Sequence, residues 1–176
     1  MTSRRTHLRA TRPQSVSALV RSSLYRIIGL ALAIIAIDQT SKMFALKFLQ
    51  PGKSVPFIGD VLGFQLVRNN SAAFSIGNGQ TWLFTIFSTL AAVAILWFAP
   101  RSKSTSWAWT AGLLLGGVCG NLIDRVTREP GFPNGNVIDF LQLPFGFPIF
   151  NLADSSIVLA MAIVMVRVLR GHKIGQ

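Results

Sequence analysis

The sequence predicts an all-α integral membrane protein of four transmembrane helices, and three observations carry that reading. Of its 176 residues 51% are hydrophobic and only 13% are charged, against about 25% in an ordinary soluble domain, and mean hydropathy is +0.49. Four long apolar runs are separated by segments rich in Pro, Gly and charge. The basic residues behind the net charge of +11 gather at the ends of those runs. The charge therefore reads as topology and lipid contact rather than nucleic-acid binding.

Residues 1–23, with Arg4, Arg5, Arg9, Arg12, Arg21 and Pro13, read as a basic, disordered cytoplasmic tail. Three more apolar runs follow the first one, so it reads as an uncleaved first span rather than a removed signal peptide. That span runs from about Leu24 to Leu46 around IIGLALAIIAI, with Asp38, Gln39 and Lys42 toward its far end. Asp38 and Lys42 stand at i,i+4 on one face and can pair, either as a snorkelling ion pair at the interface or as support for a site. In the loop at 50–80, Pro51, Gly52, Pro56, Gly59 and Gly63 break helices, and VLGFQLV has the β-branched and aromatic content of a short strand. Asn69 and Asn70 then open VRNNSAAFSIGNG.

The second span, Trp82 to Ala99, is eighteen residues without a charge, ~27 Å of helix against a hydrocarbon core of ~30 Å. The third runs from Trp107 to Ile123. Trp107 and Trp109 suit an interfacial belt, and Gly112, Gly116 and Gly120 repeat the small-xxx-small spacing that lets helices pack closely in lipid. The fourth runs from about Pro148 to Leu169, leaving residues 171–176 as a second cytoplasmic tail. Eleven of the seventeen Lys/Arg and no acidic residue fall on the side holding both termini, and all six carboxylates fall on the other. The positive-inside rule puts the termini in the cytoplasm and the acidic side outside.

The segment 112–156 holds four of the six acidic residues, Asp124, Glu129, Asp139 and Asp154. A charge at the centre of a spanning helix costs at least ~2.5 kcal/mol, so aspartates kept beside spans point to use. Asn121, Asp124 and Arg125 share one helical turn, and Asp124 reads as an anchor held ionised by Arg125. Asp139 lies in the apolar, strand-like NVIDFLQL with no cation nearby in sequence. Asp154 lies in FPIFNLADSS, with Asn151 at i−3, where helix N-capping by Asp154 or Ser155 is the competing role. If Asp139 and Asp154 meet, they share a proton, and one carboxylate activates water while its protonated partner polarises a carbonyl. That chemistry needs no metal or cofactor. Cys119 has no disulfide partner, and His7 and His172 lie in the polar tails. Two other classes compete: a small transporter or proton conductor, which requires polar residues through the full membrane depth, and a structural membrane adaptor without chemistry.

Five pieces in order, DQTSK (38–42), NNSAAFS (69–75), GGVCGNLIDR (116–125), VIDF (137–140) and FNLADSS (150–156), resemble the bacterial lipoprotein signal peptidases, the signal peptidase II family. The resemblance implies a four-helix transmembrane aspartic peptidase domain over 24–170, with a small extracytoplasmic β-cradle and a second extracytoplasmic segment containing a helix. It implies a multi-pass, monomeric enzyme of the bacterial cytoplasmic membrane. Its substrates would be prolipoproteins whose lipobox cysteine carries diacylglycerol, cut just before that cysteine. Carried over by motif, the catalytic pair falls on Asp139 and Asp154. Asp38, Lys42, Asn69, Gly117, Asn121, Asp124, Arg125, Asn151 and Ala153 occupy positions that support the site or contact substrate and the cyclic peptide inhibitor globomycin. Two departures are visible: Ser71 stands where the family usually has Gly, and the loop at 126–136 is longer than in many members.

Overall fold

In a computed structural model of the chain the described residues are 16–70, 80–102 and 104–173. They form four helices, α1 (Val16–Phe48), α2 (Thr81–Phe98), α3 (Thr105–Thr127) and α4 (Leu152–Leu169), and three strands, β1 (Ser54–Ile58), β2 (Leu62–Asn69) and β3 (Val137–Gln142). A single 3₁₀ turn at Ala99–Arg101 follows α2. All four α-helices are long and apolar enough to cross a membrane. Their outward faces remain apolar and exposed, Leu32, Phe87, Val93 and Leu159 among them, as suits surfaces that lipid rather than water covers.

The helix boundaries depart from expectation at three ends. Helix α1 starts at Val16, so residues 16–23, expected in the disordered tail, are helical. They contain no breaker, and their hydroxyls bond within the fold: Ser22 Oγ donates to the Leu19 carbonyl at 3.0 Å and Ser23 Oγ to the Ser102 carbonyl at 3.3 Å. At 33 residues the helix is ~50 Å long, well beyond the hydrocarbon core. Helix α3 continues one turn past Ile123, keeping Asp124 and Arg125 helical. Helix α4 starts at Leu152, because Phe150 is still paired with Leu141 beside β3 and Asn151 is the N-cap. Residues 1–15 of the expected tail, Ser71 with the rest of SAAFS, and 174–176 lie outside the described residues.

Helix α3 occupies the centre, packing against α1, α2 and α4. Its most apolar window is 44% buried, against 11–17% for the other three helices. The glycine stripe makes this possible. A Cβ at Gly116 would lie 2.7 Å from the Ile34 Cβ of α1, and one at Gly117 would lie 2.5 Å from the Ala153 carbonyl of α4, so α3 contacts both neighbours through backbone that no side chain separates. Trp107, expected at the interface, is only 7% exposed. It packs under the Arg167 guanidinium, whose centre lies 4.5 Å from its ring. Trp109 is the exposed one, at 46%.

The strands form an antiparallel sheet in the order β1-β2-β3. The strand content of VLGFQLV and NVIDFLQL is thus realised, and β1 joins them despite Pro56, which sits where the β1–β2 register slips. Ile138 and Phe140 of β3 and Leu66 of β2 pack with Ala45 near the end of α1. The sheet therefore sits at one end of the bundle, with the last turns of α1 and α3 and the first turn of α4. At the opposite end, Ser23 meets Ser102 and the Arg167 guanidinium donates to Ser106. Among the described residues no helix accompanies the sheet outside the four spans.

Candidate active site

Helix α1 brings Asp38, Gln39 and Lys42 to the sheet end. The Lys42 ammonium bonds Asp38 Oδ2 at 2.8 Å, Asp124 Oδ2 at 2.8 Å and Asn121 Oδ1 at 3.0 Å. Three N–H donors meet three acceptors, and the side chain is 0% exposed. The alternative of a snorkelling interfacial pair is thereby excluded. Asp38 also accepts the Ala153 backbone N–H at 2.9 Å, which ties the first turn of α4 to α1.

Asp124, also fully buried, accepts four hydrogen bonds: from Lys42, from Arg128 Nε at 2.5 Å, from Gln39 Nε2 at 3.1 Å and from the Ile138 N–H at 3.2 Å. Arg125 attracts Asp124 through space, but the ion pairs found at Asp124 are with Lys42 and Arg128. Consecutive helix residues point in different directions, and the Arg125 guanidinium lies over the Phe84 ring of α2 at 5.3 Å. Asp124 instead pairs with the residue one turn on and, through the Ile138 N–H, holds the strand that carries Asp139.

Asp139 and Asp154 come to the same network from β3 and α4, and Asn151 touches both. Its side-chain amide donates to Asp139 Oδ1 at 2.6 Å, and its backbone N–H donates to Asp154 Oδ2 at 3.1 Å. Asn69, which the β2–β3 register places beside Asp139, donates to Asp139 Oδ2 at 2.8 Å. Asn121 donates to Asp154 Oδ1 at 2.7 Å. Each of the four carboxylate oxygens thus faces an N–H. Burial, with the Asp154 charge adding to it, pushes the Asp139 carboxyl up to about 7, against the opposing effect of the Asn69 and Asn151 donors and of Lys42.

The expected capping role is partly real. Asn151, not Asp154 or Ser155, is the N-cap of α4. It accepts the Asp154 N–H at 2.9 Å, and Asp154 at N3 completes the reciprocal capping box. One carboxylate both closes the helix terminus and faces the site. Gly117 and Ala153 make no polar side-chain contact; they let α3 and α4 approach closely enough for Asn121 to reach Asp154.

Three residues of this network were not expected in it. Gln39 donates to the Gly120 carbonyl as well as to Asp124 and Asp38. Arg128 was readable, standing four residues after Asp124. Gly135 donates its N–H to the Arg125 carbonyl at 3.0 Å, and a Cβ there would overlap the Asp124 carbonyl, so the loop can cap α3 only with glycine. A cavity of about 530 Å³ opens alongside, lined by Asn70, Thr81, Glu129, Asn134 and Asn136 among others. Among the described residues no cluster of His, Cys, Asp or Glu has a metal-binding arrangement.

The chain has clear relatives. A family profile described as signal peptidase (SPase) II matches residues 30–170. A lipoprotein signal peptidase of Leifsonia xyli subsp. xyli is 45% identical over 157 residues, 89% of this chain and 70% of that protein. One from Mycobacterium leprae is 41% identical over 140 residues, 80% of this chain and 69% of that protein. Two solved structures share the fold, both titled as a bacterial membrane enzyme determined by the in meso method. The one at 2.3 Å has a TM-score of 0.73 and 29% identity, covering 82% of this chain and 87% of the other. The one at 1.9 Å has a TM-score of 0.72 and 28% identity, covering 83% and 94%.

Proposed function

Because the chain belongs to the signal peptidase II family, we propose that it is a membrane aspartic endopeptidase that removes the signal peptide from diacylglyceryl-modified prolipoproteins, cutting before the lipidated cysteine. The observation that carries this reading is Asn151: one residue donates to the carboxylates of both Asp139 and Asp154. The pair takes part through one water. One carboxylate accepts a proton as the water oxygen bonds to the scissile carbonyl carbon, and the carbonyl oxygen takes the proton held by the other. Collapse of the resulting diol returns that proton, breaks the C–N bond and passes the water-derived proton to the leaving amine.

The substrate is a membrane helix ending in a lipid-tethered cysteine, so its scissile bond sits at a membrane boundary. The sheet end of the bundle suits that position, and the charge asymmetry of the sequence turns it outward, with both termini in the cytoplasm. In this reading the enzyme works as a monomer in lipid, and globomycin competes for the same site.

The test is cleavage of a diacylated lipobox peptide by the purified full-length protein, with Asp139→Asn and Asp154→Asn made separately. We expect cleavage by the wild type, inhibition by globomycin and loss of turnover in each variant, with insertion and folding retained. Processing by either variant at the wild-type rate overturns the assignment of the pair.

A further inference from the structure

Lys42 touches neither Asp139 nor Asp154 in any ion pair, yet it determines which way the network between them runs. A lysine ammonium can only donate. With Nζ 3.0 Å from Asn121 Oδ1, the oxygen of that amide must face Lys42, so the NH₂ must face Asp154 Oδ1, 2.7 Å away. The second amide is fixed independently. The Asp154 backbone N–H occupies Asn151 Oδ1, which turns the Asn151 NH₂ toward Asp139 and toward Asn121 Oδ1 at 3.1 Å. Neither orientation is free, because each is set by a donor that cannot flip.

We propose that Lys42 is a positioning residue for the acid pair: its buried ammonium fixes Asn121 as a donor to Asp154, making Asp154 the carboxylate that stays ionised and leaving the proton on Asp139. This rests on the proposed peptidase reading and assigns the two roles within it, Asp154 to the attacking water and Asp139 to the carbonyl oxygen. A second observation points the same way. Asp154 is at N3 of α4, where the positive end of the helix dipole and the Asn151 N–H stabilise a negative charge. Asp139 sits on a strand, with no such field.

The charged groups facing the pair come from every packed element: Lys42 and Asp38 from α1, Arg125, Asp124 and Arg128 from α3, and the two aspartates from β3 and α4. Asp38, Lys42, Asp124 and Arg128 cancel one another. Removing Lys42 therefore leaves the Asn121 oxygen with only the Asn151 donor at 3.1 Å to orient it, and leaves two acids against one base beneath the pair.

The experiment compares wild type, Lys42→Met, Asn121→Asp and the double variant, by kcat, KM and pH–rate profile on a diacylated lipobox peptide. In Asn121→Asp, Lys42 keeps an acceptor and the fold keeps its ion pairs, but an acceptor replaces the donor to Asp154. Both single variants should lower kcat about 10- to 100-fold at little change in KM, and both should move the acid limb of the profile to higher pH. The double variant should keep the acid limb displaced, since it restores no donor to Asp154 Oδ1. An acid limb in Asn121→Asp at the wild-type pH overturns the proposal whether or not Lys42→Met folds, and so does a return of that limb to the wild-type pH in the double variant. Failure of the wild type to cleave the peptide, or full activity in Asp139→Asn or Asp154→Asn, rejects instead the peptidase reading beneath it.

Discussion

Replacing Asp124 by asparagine changes no shape and removes one charge from a carboxylate at 0% exposure that accepts four hydrogen bonds. Its two oxygens divide the donors: Oδ1 takes Arg128 and Gln39, and Oδ2 takes Lys42 and the Ile138 N–H. An asparagine presents one oxygen and one NH₂, so in either orientation two donors confront a donor. In either orientation the Lys42 ammonium loses one of its two counter-charges; with the NH₂ facing it, it also confronts a donor and the Ile138 N–H is left unpaired. If the NH₂ faces Arg128, a partly exposed guanidinium can turn to water, so this is the cheaper arrangement.

Breaking a buried ion pair by removing one partner costs about 3–5 kcal/mol. At about 2–4 °C per kcal/mol for a chain of 150–250 residues, Asp124→Asn should lower the melting temperature by roughly 6–20 °C. Thermal unfolding in detergent, followed by helical circular dichroism, measures this directly. Because Asp124 acts on the site through the Ile138 N–H and Lys42, activity should fall while the protein is still folded. A melting temperature within about 2 °C of the wild type would refute the reasoning, since it would mean that the charge of Asp124 is not what holds Lys42 and Arg128.

Gly117→Ala should be destabilising by about 1–3 kcal/mol and should impair activity, because a Cβ placed 2.5 Å from the Ala153 carbonyl forces the first turn of α4 away from α3; unfolding and turnover assays on the same preparation report both effects. The Asp139 carboxyl, raised to about 7 from an unfolded value near 4, binds more proton in the folded than in the unfolded chain between those values. Stability should therefore fall as pH rises from about 4 to 7, and Asp139→Asn should flatten that slope in a pH series of melting temperatures. Asn69→Ala takes away a donor that holds the Asp139 carboxyl down, so the alkaline limb of the pH–rate profile should move to higher pH.

The four spans were legible because apolar length is a one-dimensional property, and β2 and β3 because β-branched and aromatic residues cluster there. The start of α1 was not: residues 16–23 mix serines and Arg21 with apolar residues and carry no clear span signal, and the contact of Ser23 with Ser102 is made only in the fold. At the site, spacing found the Asp38–Lys42 pair but not its burial, which depends on α3 arriving over it. Adjacency misled at Asp124, where Arg125 is next in sequence and Arg128 is next in space. Gln39 carries no hydropathy or charge signal at all. The double contact of Asn151 needs β3 and α4 brought side by side by the Phe150–Leu141 bridge, and no local pattern encodes that.

The network also sorts its four aspartates by the kind of partner each has. Asp38 and Asp124 are matched by cations, Lys42 and Arg128, in a cluster of zero net charge. No ion pair joins Asp139 or Asp154 to a cation among the described residues; the donors they receive are Asn69, Asn121 and Asn151. An ion-paired carboxylate has its charge matched within the fold, whereas one held only by amides is costly to charge. The first kind can hold helices in register and the second can trade a proton, so a bundle end that needs both must keep its lysine beneath the reactive pair without touching it. Asn121 is the spacer that permits this: it accepts from the ammonium and donates to Asp154, passing on an orientation without passing on a neutralising charge.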